Sequence, residues 1–157
     1  MRRILICLLV AVVLPACGSH GKACDAATAE TLDPLSAQHL LPGAPEPHYS
    51  TNPPTSGAHR PGPLPAEVLT SPLAKPDQVA ALEGGQILIQ YRKITPEDRR
   101  KLTTIAHRFN HVTVAPGRDL PAKVVATAWL TMQQCSRVDR SALQDFITTH
   151  GGKHKAD

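Results

Sequence analysis

Aromatic side chains are scarce: one Trp, two Tyr and two Phe make up 3% of 157 residues. Grooves for nucleic acids stack bases on aromatics interleaved with clusters of Lys and Arg, and this chain has neither, which excludes that partner. It also lacks a Gly-x-Ser-x-Gly elbow, a phosphate-binding glycine loop, a Cys-x-x-Cys pair and a His-Glu-x-x-His helix. The usual sequence carriers of acyl-transfer, phosphoryl-transfer, dithiol and zinc-peptidase chemistry are therefore missing, and no catalytic residue is assigned. Ser56 lies three residues before His59, but a triad needs spatial geometry and an orienting acid that spacing cannot supply. Long apolar runs are absent too. The longest, residues 4–14, has eleven residues, which at about 1.5 Å each covers only half of a ~30 Å hydrocarbon core.

That run does have an address-like setting. Met1-Arg2-Arg3 places positive charge before it, and Leu14-Pro15-Ala16-Cys17 follows with small residues and a cysteine. Residues 1–16 thus read as a secretory signal in three parts. The closing string resembles the bacterial lipobox, a resemblance that implies cleavage before Cys17 and diacylation of its thiol. Acyl chains burying CH₂ groups at about 0.8 kcal/mol each would anchor the protein to a membrane. The expected location is outside the cytosol, on a bacterial membrane facing the periplasm or the cell exterior, where an envelope protein is a candidate partner. Ordinary secretion, with Cys17 incidental, is the alternative. Arg2 and Arg3 belong to the signal, so of 17 basic residues 15 remain against 13 acidic ones, and the basic balance largely disappears.

Four cysteines occur. With Cys7 in the signal and Cys17 lipidated, Cys24 and Cys135 are the two thiols left to form one bridge, which an oxidising envelope compartment would favour. The alternative is two unpaired thiols, one exposed and one in the core, because Cα separation is invisible in sequence.

The remaining 141 residues suffice for one domain with a modest core. Residues 17–33 are small, polar and alanine-rich and read as a tether with one helical turn. Residues 34–76 hold eleven of the fifteen prolines, which forbids a central strand or a long helix and predicts an irregular wrap. Leu40, Leu41, Tyr49, Leu64, Val68, Leu69 and Leu73 are spaced to pin it to a core. From residue 79 to 150 the pattern becomes regular. Gln86-Ile87-Leu88-Ile89-Gln90-Tyr91-Arg92 predicts a strand bounded by Gly84-Gly85. Thr95-Pro96-Glu97-Asp98 predicts a capped helix start, with Leu102, Ile105 and Phe109 on one face. Residues 111–115 and 124–129 predict two more strands, and Asp139 caps a helix stopped by Gly151-Gly152. The expected fold is α+β: a small sheet of about three strands with helices packed on it, in the order β-α-β-β-α, preceded by the proline-rich wrap. The family-like domain is expected over 34–152, with 153–157 a polar tail.

Asn52-Pro53-Pro54-Thr55-Ser56-Gly57-Ala58-His59 is the most particular string. Adjacent prolines stiffen the approach, Gly57 permits a left-handed bend, and Thr55 and Ser56 can bond nearby backbone, so His59 emerges from a braced support. The alternative is a plain surface turn. This string, together with His39, Gly43, Tyr49, Leu82-Glu83, Gly85 and Thr127-Ala128-Trp129, resembles bacterial domain-of-unknown-function family 3105 over roughly residues 38–152. The resemblance implies an extracytoplasmic protein, and the family's histidine motifs imply a transition metal, copper first. One motif departs: where the family has histidine, any residue, leucine, glutamate, histidine and glycine, this chain has Ala80-Ala81-Leu82-Glu83-Gly84-Gly85. Both motif histidines are gone.

What the resemblance leaves is His39, His59 and Glu83, two imidazoles and a carboxylate, the donor set of three-ligand zinc or non-haem iron sites with an open position. Copper or zinc at these residues is the sharp expectation for a binding module; a metal-free structural or protein-interaction lipoprotein with a degenerate site is the alternative. His48 is a further candidate ligand. His107 and His111 fall at i and i+4, although a helix end explains His107 through the dipole. His150 and His154 flank the glycine pair and the tail. Trp129 is expected to fill the core, and Tyr49 to pack or to line a pocket.

Overall fold

The computed structural model describes residues 21–62 and 64–152. The expected signal (1–16), Cys17 and the polar tail (153–157) lie outside the described residues. Five strands form one mixed sheet: β1 (Thr28–Ala29), β2 (Ile87–Tyr91), β3 (Val112–Pro116), β4 (Val124–Ala128) and β5 (Thr131–Cys135), in the order β1-β5-β4-β2-β3. Three helices accompany it: α1 (Lys75–Glu83), α2 (Pro96–Arg108) and α3 (Arg140–His150). The α+β class holds. The count of about three strands is corrected to five, because β1 and β5 were not foreseen.

Both omissions have a physical cause. Thr131-Met132-Gln133-Gln134-Cys135 carries two glutamines and no aliphatic alternation, yet it pairs residue for residue with β4, from Ala128 opposite Thr131 to Val124 opposite Cys135. β1 is two residues long and exists because the start of the chain lies antiparallel along β5. Cys24 opposes Cys135 across an extension of that ladder, between the bonds Asp25 N–H to Gln134 O (2.9 Å) and Ser136 N–H to Ala23 O (2.8 Å). The two cysteines are joined as a disulfide. Instead of a tether with a helical turn, the described part of 17–33 is therefore docked along the sheet edge.

β2 and β3 run parallel, joined through α2, and the other pairs are antiparallel. Alternation along the strands gives each face its own core. Ile87, Ile89, Val112, Val114, Val124 and Ala126 face α2 and α3, meeting Leu102, Ile105, Leu143, Phe146 and Ile147. On the opposite face Leu88 and Ala115 meet Leu82 of α1, with Leu69 and Trp129 packed alongside. Trp129 is thus a partly buried wall of the smaller core. Gln78, Val79, Ala80, Ala81 and Leu82 of α1 are buried in succession, so the helix carries no apolar stripe of helical period in its sequence.

The proline-rich segment is irregular and pinned at several points. Val68 bridges Val114 in parallel, through Leu69 N–H to Val114 O (2.8 Å) and Val114 N–H to Glu67 O (3.0 Å), which covers the free side of β3. Of the expected anchors, Tyr49 is buried and Leu64, Val68, Leu69 and Leu73 are partly so. Leu41 is not an anchor: it is 80% exposed.

The capped helix starts are as their sequences specify. Thr95 Oγ1 accepts from Asp98 N–H at 3.1 Å, and Asp139 Oδ1 accepts from Ala142 N–H at 3.1 Å. Thr95→Ala is expected to cost about 1 kcal/mol by orphaning that first-turn amide. Urea unfolding should show it as a lower midpoint at unchanged slope.

Candidate metal centre

His59 ends a buried loop. Residues 53–59 are all buried, and His59 itself is 1% exposed. Thr51 begins the support, its hydroxyl donating to Pro53 O at 2.9 Å and accepting from Thr55 N–H at 3.2 Å. Ser56 Oγ accepts the Asp33 N–H at 2.9 Å, and Leu130 N–H donates to Thr55 O at 3.1 Å. Asp33 is a hub: its carboxylate accepts from Leu35 N–H (2.9 Å) and Ser50 Oγ (2.9 Å), and Ser36 Oγ donates to its carbonyl (2.7 Å). The Tyr49 hydroxyl donates to Ala58 O at 2.8 Å. Burial, and then the Glu46 carboxylate, push that hydroxyl well above its usual range, so it stays a neutral donor.

Gly57 is where the loop needs a glycine. Its φ is +127°, and a Cβ there would sit 2.9 Å from Tyr49 Cδ1 and 3.4 Å from Asp33 Cγ. The bend aims the Gly57 carbonyl at its own chain, where it accepts from His59 Nδ1 at 2.9 Å. A carbonyl can only accept, so Nδ1 carries the proton, and in the neutral ring Nε2 keeps a free lone pair. Ring orientation and tautomer are thereby set as in metal-ligating histidines, whose second nitrogen donates to a backbone carbonyl.

His39 arrives from the preceding segment through an isolated parallel bridge to His59. Leu40 N–H donates to His59 O at 2.8 Å, and His59 N–H to Gln38 O at 3.1 Å. Directly paired residues project to the same side of a ladder, and the two imidazoles meet edge to face with centroids 4.9 Å apart. His39 is exposed and His59 buried, so the pair runs from solvent into the interior.

Glu83 closes the group as the last residue of α1. A carboxylate at a helix C-terminus faces the negative end of the dipole, which disfavours it by about 0.3–1 kcal/mol unless a cation is near. No basic residue occupies the last turn. Instead, Glu83 Oε2 lies 2.6 Å from His59 Nε2, while Nε2 makes no hydrogen bond of regular geometry. The two atoms are close without the alignment of a donor and an acceptor. Beside the site, Arg60 pairs with Asp77 of α1 at 2.5 Å, and that bond holds its guanidinium above the usual range. Half exposed, this pair contributes orientation more than stability.

One donor atom from each of His39, His59 and Glu83 falls within 4.8 Å of the others, the one such grouping among the described residues. The three candidates taken from sequence are brought together. His48, His107, His111 and His150 are not part of the group. Donors sharing a tetrahedral ion at 2.0–2.2 Å sit about 3.4 Å apart, so one ion would require His59 Nε2 and Glu83 Oε2, now 2.6 Å apart, to separate and the group as a whole, now within 4.8 Å, to draw together around it.

Sequence reading did not assign Asp33 to this architecture, although Asp33-Pro34 is a turn signature and its side chain makes the expected bond two residues on. Nor could it foresee the Gly57 carbonyl as the partner of His59.

The family model described as "Protein of unknown function (DUF3105)" matches residues 45–157. The chain belongs to this family. No curated protein and no solved structure matches it. Within this DUF3105 chain the matched span contains His59 and Glu83 and leaves His39 outside. Ala80 lies in α1, and Gly84 is its C-cap next to Glu83. The second imidazole of the group, His39, comes from the segment N-terminal to the matched span.

Proposed function

We propose that this protein is a lipid-anchored extracytoplasmic binding module that holds one transition-metal ion, copper or zinc, through His39, His59 and Glu83. The observation that carries this reading is the convergence of three donor atoms within 4.8 Å, with His59 Nε2 freed by the Nδ1 bond to Gly57 O. When bound, the ion would relieve the Glu83 carboxylate at its unfavourable helix end. Three protein ligands leave a coordination position for an exogenous donor. Export and the anchor at Cys17 rest on the sequence of residues 1–17. A bond between Cys24 and Cys135 suits an oxidising compartment and supports the same location. No described helix is long and apolar enough to cross a membrane.

Calorimetric titration with Cu(I), Cu(II) and Zn(II) tests the site. His39→Ala is the cleanest variant, since the ring is exposed and its loss should leave the fold intact. Each of His39→Ala, His59→Ala and Glu83→Gln is expected to weaken binding by more than the ~10–100-fold that loss of an orienting partner costs. Equal affinity in wild type and His39→Ala would remove His39 from the site.

A second reading is a metal-free interaction module of the envelope. It is favoured by Ala80 and Gly84 in place of the motif histidines, and by Leu32, Leu35 and Leu41, which are 52%, 46% and 80% exposed on the segment that carries His39. It requires that no metal bind wild type and that crosslinking to an envelope protein survive a chelator.

A further inference from the structure

At the opposite end of α1 from Glu83 lies a cleft of about 450 Å³. Gln78 and Gln90, 6% and 2% exposed, line it. Gln78 Nε2 donates to Leu73 O at 2.7 Å, which settles its amide orientation and leaves Oε1 as an acceptor. Gln78 Oε1 and Gln90 Oε1 are both buried and without a hydrogen-bond partner among the described residues. An orphaned buried acceptor is costly, and two in one cleft point to donors supplied from outside the chain.

The rim is charged in both signs. Lys75 and Arg118 supply cations, Glu46 and Asp119 carboxylates, and Lys75 Nζ stands 4.0 Å from Glu46 Oε1. The N-terminus of α1 opens here as well. Its first turn already carries the Asp77 carboxylate, Pro76 has no N–H, and the Asp77 and Gln78 N–H groups bond Ala74 O at 3.0 and 2.9 Å, so the rim cations rather than the helix start are left for a ligand anion. A rim with two charges of each sign repels a ligand carrying net charge of either sign less than it attracts separated charges within one ligand.

We propose that this cleft binds a small zwitterion of the amino-acid class. Its ammonium hydrogens would satisfy the two glutamine oxygens beside Glu46, and its carboxylate would lie toward Lys75 and Arg118. The volume is at the small end of ligand sites, which suits a single amino acid or a dipeptide. The proposal is independent of the metal centre, so chelated protein serves for its test.

Purified full-length protein in EDTA is titrated with the proteinogenic amino acids and glycylglycine, and in parallel with acetate, methylamine and glucose. The readouts are calorimetry and the side-chain amide signals of Gln78 and Gln90. Saturable binding of at least one amino acid or of glycylglycine, with both amide signals moving, is expected. Gln78→Leu should weaken it about tenfold, the loss of one hydrogen bond to a charged donor. Arg118→Ala, at an exposed position that leaves the fold intact, should weaken it severalfold. The proposal is overturned if no zwitterion binds, if glucose, acetate or methylamine binds as tightly, or if Arg118→Ala leaves the affinity unchanged.

Discussion

Gly57→Ala is expected to destabilise the protein by about 3 kcal/mol and to weaken metal binding between ten- and a hundredfold. Two effects combine. At φ +127° an L-residue occupies a backbone region that costs of order 1–3 kcal/mol. The new methyl would also meet Tyr49 Cδ1 at 2.9 Å and Cε1 at 3.0 Å, and relieving such overpacking costs roughly another 1–3 kcal/mol. Tyr49 cannot simply turn away, because its hydroxyl is bonded to Ala58 O and its ring is 7% exposed. The loop must move instead, and the Gly57 carbonyl moves with it, releasing His59 Nδ1. Loss of an orienting partner of this kind typically lowers metal affinity ~10–100-fold. Gly62→Ala is the matched control: φ there is +101°, but nothing lies within 4 Å of the added carbon, so it carries backbone strain alone. Urea unfolding and zinc titration of both variants decide the matter. Were Gly57→Ala no worse than Gly62→Ala, contact with Tyr49 would not be what holds the loop.

Removing the disulfide should have the larger effect on stability. Cys24 and Cys135 are 111 residues apart, and in the chain-entropy account closing a loop of that size is worth about 4–5 kcal/mol. The bond also fastens the segment that contributes β1, the Asp33 hub and His39 to the body. Cys24→Ser/Cys135→Ser, or reduction of the native protein, is expected to lower the thermal midpoint by roughly 15 °C. Amide exchange should rise first at Asp25 and Glu30, whose N–H groups bond Gln134 O and Leu130 O. Metal affinity should fall with it, because His39 lies on the released segment. An unchanged midpoint under reduction would mean that strand pairing alone holds the N-terminal segment.

Legibility followed local physics. Helices α2 and α3 were visible because their caps and apolar faces are written within a dozen residues: Thr95-Pro96-Glu97-Asp98 with Leu102 and Ile105, and Asp139 with Leu143, Phe146 and Ile147. Strands β2, β3 and β4 were visible through their β-branched and aliphatic runs. Hidden were α1, whose residues 78–82 are all buried, and β5, whose Gln133 and Gln134 carry no strand signal until β4 pairs with them. For the site, the residue types were legible and their supports were not. Asp33, placed in a tether by composition, orders Ser36, Ser50 and Ser56 across 23 positions of sequence.

The amino-acid sequence by itself determined the α+β class and a bend permitted at Gly57, since each follows from local propensity, while the three candidate ligands came from its resemblance to the family's motifs. Only the tertiary structure decided that the first described residues form an edge strand bonded to Cys135, that a parallel bridge sets His39 beside His59, and that the end of α1 brings Glu83 to Nε2. Those are contacts between distant positions. Their free energy comes from pairing and burial across the whole molecule, and no window along the chain contains both partners.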